Sequence, residues 1–102
     1  MARVIRFVTC QVPEANRQEY LSIMIDMKAV ASQDPAMSGF YLLEDRATRG
    51  LFRECYEYPD EESLAAVEKD SSRSDRFGPL VERLRQIVPA ESVTSETYLQ
   101  MT

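Results

Sequence analysis

Two opposite charges sit where a sequence normally keeps apolar residues. Arg6 lies within Arg3-Val4-Ile5-Arg6-Phe7-Val8, and Glu54 within Leu51-Phe52-Arg53-Glu54-Cys55-Tyr56. Both runs are rich in β-branched and aromatic residues and read as strands. A charge buried mid-strand is costly, so it must pair, reach an edge or border a wet pocket. In a pocket, this pair has the residue types for proton abstraction. Glu54 would be a carboxylate base made more basic by burial, and Arg6 would hold the enolate or phenolate oxygen that forms. The structural alternative is an ion pair that orients the sheet, with Arg6 meeting Glu54 on one side or Glu96 on the other. Glu57, near its strand end, is expected in solvent.

Residues that would surround a ligand are also legible. Tyr20 and Met24 belong to an apolar stripe, Tyr20, Ile23, Met24, Met27, Val30 and Ala31, at steps of three and four residues on one helix. The stripe packs the Tyr20 ring on the sheet and reads Met24 and Met27 as core first. The buried tyrosine hydroxyl still needs a partner, which can be a ligand, and methionine also suits adaptable apolar walls. Tyr56 shares the apolar face of its strand with Phe52. Asn16, the single asparagine, falls in the first turn of that helix and is expected to be exposed.

The absences narrow the chemistry further. The chain has no histidine and no tryptophan, which removes the commonest general base, the usual haem ligand and most zinc constellations. No glycine-rich phosphate loop, metal-ligand spacing or nucleophile triad is present, so neither a metal nor a cofactor is called for. Two cysteines, Cys10 and Cys55, make no disulfide framework. Both fall in strands, although Arg53 shares a strand face with Cys55 and leaves a thiolate there conceivable. The net charge of −5, with twelve scattered Lys and Arg, argues against nucleic acid as a partner. No apolar run approaches the roughly 20 residues of a membrane span, and no signal-peptide core opens the chain. A cytoplasmic protein is the expectation.

The 102 residues suit one domain, 1–102. The pattern predicts a strand over Arg3–Val12 and a helix from Glu14 to the Asp34-Pro35 stop. A hairpin of Met37–Asp45 and Leu51–Tyr58 follows around a turn ending at Gly50. A second helix is capped by Asp60. A polar break over Lys69–Ser74 precedes a third helical stretch that Phe77 opens and Pro89 ends, in which Gly78-Pro79 fits a helix start at least as well as a helix interior. A last strand covers Ser92–Met101. The order β-α-β-β-α-β is the ferredoxin-like α+β arrangement, with a four-stranded antiparallel sheet and helices on one face. Yet the strands are apolar on both faces: Phe40 and Leu42 against Tyr41 and Leu43, Val4 and Val8 against Ile5 and Phe7. One chain has helices for one face only, so an isologous homodimer is expected.

Four segments, Gly39-Phe40-Tyr41-Leu42, Phe52-Arg53-Glu54-Cys55-Tyr56, Asp60-Glu61-Glu62-Ser63-Leu64-Ala65-Ala66-Val67 and the stretch opened by Phe77, together resemble the antibiotic-biosynthesis-monooxygenase group of the dimeric α/β-barrel superfamily. The resemblance implies two ferredoxin-like subunits facing each other as a barrel, each with a pocket between sheet and helices. It also implies a small apolar or aromatic substrate and cofactor-independent oxygenase or isomerase chemistry. A non-catalytic small-molecule-binding or stress-associated dimer and a polyketide-type cyclase are the alternatives. Many relatives carry a pocket histidine where this chain has Val67, so haem is not expected. Val67 is then a core residue under its helix or, in the functional reading, a dry pocket wall, and Phe77 part of the lining.

Overall fold

The computed structural model describes residues 2–70 and 72–102. β1 (Arg3–Gln11) turns Val4, Arg6, Val8 and Cys10 to one face and Ile5, Phe7 and Thr9 to the other. Pro13, with no N–H to give a ladder, ends it. A 3₁₀ turn (Glu14–Asn16) leads into α1 (Arg17–Ser32), which buries Tyr20, Ile23, Met24, Met27 and Ala31 as one stripe. β2 (Gly39–Glu44) and β3 (Leu51–Tyr58) pair antiparallel. The turn between them closes at Gly50, which has φ +87° and whose carbonyl accepts from Val12 N at 2.8 Å. α2 (Glu61–Lys69) starts where the Asp60 carboxylate accepts from Ser63 N at 2.8 Å, as its cap position predicts.

α3 (Arg73–Ile87) begins within the expected polar break and carries Pro79 inside it, so Gly78-Pro79 is helix interior and not a helix start. Two effects permit this. Arg73 is ion-paired with buried Asp34 and lies over the Phe77 ring at 4.9 Å, so tertiary contacts hold the first turn. Gly78 has no Cβ to clash with the proline ring, the clash that usually expels the preceding residue from helical geometry. At the far end, Asn16 is half-buried rather than exposed, and its Nδ2 donates to the Ile87 carbonyl at 3.0 Å. That contact satisfies one of the carbonyls a helix end leaves open.

β4 (Thr94–Gln100) completes a sheet of order β2-β3-β1-β4, antiparallel throughout. This is the ferredoxin-like α+β fold. The core joins Cys10, Phe40 and Phe52 of the sheet and Val12 just beyond β1 to Tyr20, Ile23 and Met27 of α1 and Leu80 of α3, so the helices cover one face. The other face leaves Tyr41 37%, Leu43 48% and Tyr98 52% exposed. Phe7 and Tyr98 meet there edge to face with centroids 5.6 Å apart. Glu57 lies on that face half-buried, within 3.4 Å of Arg3, rather than free in solvent.

Candidate functional site

β3 alternation turns Glu54 under the helices, where it is only 5% exposed. Its carboxylate is held by two hydroxyls: Tyr20 donates to Oε2 at 2.9 Å and Tyr56 to Oε1 at 2.6 Å. Behind Tyr20, the Cys10 thiol lies 3.6 Å from the tyrosine oxygen and donates to it. No described cation forms an ion pair with Glu54. Burial pushes the Glu54 carboxyl above its ordinary range, opposed by the Tyr56 and Tyr20 hydrogen bonds, which favour the ionised form. Burial also raises both tyrosines, with the Glu54 charge adding to it, and lifts the Cys10 thiol to about 11.

A groove runs beside this carboxylate between the sheet and α3. Its inner chamber, about 720 Å³, has Glu54, Tyr56, Arg6 and Cys10 on the sheet side and Leu84 and Val88 opposite. An outer chamber of about 640 Å³ shares Arg6, Val8, Met27, Tyr56, Val81 and Arg85 and adds Tyr58, Val67, Phe77 and Gly78. The walls are mostly apolar, with one carboxylate inside and guanidinium groups towards solvent. A mostly apolar cleft with a few convergent polar groups is the usual form of a small-molecule site. Among the described residues, no three His, Cys, Asp or Glu side chains converge as metal ligands would.

Arg6 is exposed at the groove and donates from Nε to Ser95 Oγ at 3.2 Å. The register places it opposite Tyr56 and Thr97, so it meets neither Glu54 nor Glu96. Glu96 lies opposite Phe7, on the other face, and accepts from Tyr98 at 2.6 Å.

No protein-family model matches the sequence, and none of the curated proteins does. Solved structures do. A conserved protein from Methanosarcina mazei superposes with a TM-score of 0.80 over 96% of this chain and 92% of that one, at 16% identity. A candidate antibiotic biosynthesis monooxygenase from Caulobacter crescentus gives 0.80 over 99% and 92%, also at 16%. SnoaB from Streptomyces nogalater, a cofactor-independent oxygenase, gives 0.70 over 98% and 92%, at 19%. The chain has the antibiotic-biosynthesis-monooxygenase fold.

Within this monooxygenase-like fold, the residues singled out from the sequence divide into two groups. Arg6, Glu54, Tyr56, Val67 and Phe77 line the groove. Tyr20 and Met24 do not. Tyr20 is wholly buried and reaches Glu54 from behind, while Met24 packs in the core. Met27, one turn further along α1, provides the wall instead. Periodicity could not separate the two methionines, because both lie on the one stripe. Cys10 was findable as a wall residue, since it shares a strand face with Arg6 and Val8. Cys55 lies buried on the opposite face, and burial pushes its thiol upward despite Arg53. Burial and that shift both oppose a thiolate there.

Proposed function

We propose that the protein is a homodimeric, cofactor-independent oxygenase-type enzyme acting on a small aromatic substrate bound in the groove. The observation that carries this reading is a buried carboxylate, held by tyrosine hydroxyls and by no described cation, at the wall of a mostly apolar chamber. A carboxyl raised by burial is suited to take a proton from an activated phenol or quinol near neutral pH, a role worth about 10²- to 10⁴-fold in rate. Arg6 stands at the same chamber, able to hold the resulting oxyanion. The electron-rich anion passes one electron to O₂, and the substrate radical and superoxide combine at carbon. The proton returns from Glu54 to give a hydroperoxide, and loss of water leaves a carbonyl. The likeness to SnoaB supports this class of chemistry.

The apolar face carrying Tyr41, Leu43 and Tyr98 supports the dimer, because a second copy would cover it. Two free, buried cysteines suit a reducing compartment such as the cytoplasm. One observation favours a second reading, a small-molecule-binding or cyclase role. Each Glu54 oxygen already has a hydroxyl partner, as in a purely structural network. A screen of quinols and polycyclic phenols for oxygen uptake, repeated with Glu54→Gln and Arg6→Met, decides between them. Turnover by wild type, lost in variants that keep the native fold, supports the oxygenase. Tight binding without oxygen uptake supports the second reading.

A further inference from the structure

The two oxygens of Glu54 are not equivalent. Oε2 accepts from Tyr20, and Tyr20 in turn accepts from the Cys10 thiol. A tyrosine has one hydroxyl proton, so the Cys10 contact commits that of Tyr20 to Glu54. Oε2 therefore remains an acceptor in both ionisation states, and a proton taken up by Glu54 sits on Oε1. Oε1 faces Tyr56 at 2.6 Å, and Tyr56, unlike Tyr20, lines both chambers of the groove.

Tyr56 also has a single proton. When Glu54 is ionised, that proton points inward to Oε1, and the groove meets a lone pair. When Glu54 is protonated, Oε1–H donates to Tyr56, whose own O–H turns to the groove. We infer that Tyr56 is the group that exchanges a proton with the bound ligand, with Glu54 as its store and Tyr20 as the positioning residue that confines the exchange to Oε1. As catalysis this rests on the reaction proposed above. One proton leaves the substrate for the Tyr56 oxygen while the Tyr56 proton moves to Oε1, so Tyr56 never carries a charge. The upward displacement of both tyrosines by burial fits such a concerted transfer.

The titratable and charged groups facing this pair are Tyr20 from α1, Cys10 and Arg6 from β1, Tyr58 along β3, and Arg73, Glu82 and Arg85 across the groove on α3. β2 presents Leu42 opposite Glu54 and Phe40 opposite Tyr56, neither of which titrates. Glu54→Gln separates the Glu54 titration from that of Glu82.

The test needs no turnover. Two probes of nearly one shape, 1-tetralone as an acceptor and 1-naphthol as a donor, are titrated across pH below the ionisation of naphthol. The Glu54 midpoint is located by carboxyl ¹³C resonance. Tetralone affinity should fall about fivefold as pH rises through that midpoint, and naphthol affinity should rise about as much, one hydrogen bond being gained or lost. Tyr56→Phe should flatten both curves. Tyr20→Phe, or Cys10→Ala should that variant not fold, should keep the opposite slopes but move the midpoint upward, because the ionised form loses support. Slopes of the same sign, slopes that survive Tyr56→Phe, or a midpoint unmoved by the Tyr20 and Cys10 changes would overturn the inference. A failed oxygen-uptake screen would count against the reaction alone.

Discussion

Arg6 and Glu54 share the helix-covered face of the sheet without meeting. Arg6 stands opposite Tyr56 and Thr97, and Glu54 opposite Val8 and Leu42. They are two residues out of step, about 7 Å along the strands. Glu54 therefore has hydroxyls for partners, and among the described residues no guanidinium pairs with it to offset its burial.

This makes Glu54 a pH-dependent burden on the fold. Its native value is raised, so between the unfolded value, about 4.3, and the native one, the folded chain holds a proton the unfolded chain has released. Stability contributed by that proton is complete below the unfolded value and is lost as pH rises through the native one. Glu54→Gln should therefore gain on wild type as pH rises across this window. Urea unfolding from about pH 4 to about pH 8 reads the difference, and a gap constant with pH would contradict it.

Glu44 has the opposite sign. Arg17 binds it with two hydrogen bonds of 2.5 and 2.7 Å, and Gly50 N adds a third at 2.9 Å. The Arg17 bond first, then that of Gly50, holds its carboxyl down at about 2. This contribution is present above the unfolded value and disappears as pH falls towards 2. Arg17→Met should flatten the acid limb of the stability curve. An acid limb as steep as that of wild type would show that the pair adds nothing.

Gly50→Ala should destabilise by about 1–2 kcal/mol. The position has φ +87°, and a Cβ would come 2.7 Å from the Val12 carbonyl oxygen. Chemical denaturation measures the loss, and a variant as stable as wild type would exclude strain at this turn.

Wild type at micromolar concentration should sediment at about twice the 11.7 kDa chain mass. Leu43→Glu, which places a charge in the exposed apolar face, should shift it to a single chain. Wild type sedimenting as a monomer would remove the dimer.

The strand faces were legible because side chains alternate strictly, so Val4, Val8 and Cys10 fall together by counting. The register was not. Where both faces of a strand are apolar, a one-residue slip exchanges one hydrophobic set for another and leaves no trace in the pattern. The partners of Arg6 and Glu54 were hidden for that reason. Tyr20 was legible as a buried residue, but its approach to Glu54 across 34 positions depends on how α1 lies on the sheet. Gly78-Pro79 fitted a helix start as well as an interior, and the choice rests on the ion pair of Arg73 with Asp34, a contact no local signal carries.

Pro79 has a mechanical consequence. With no N–H, it leaves the Asp75 carbonyl without its helical partner, and proline is where helices bend. The roof of the groove is thus one helix with a gap in its hydrogen-bond ladder. The half before Pro79 carries Phe77 and is tied through Arg73 to Asp34, just beyond α1, while the half after it carries Leu84 and is tied through Ile87 to Asn16, just before α1. The two halves of the roof are therefore moored at opposite ends of the same helix.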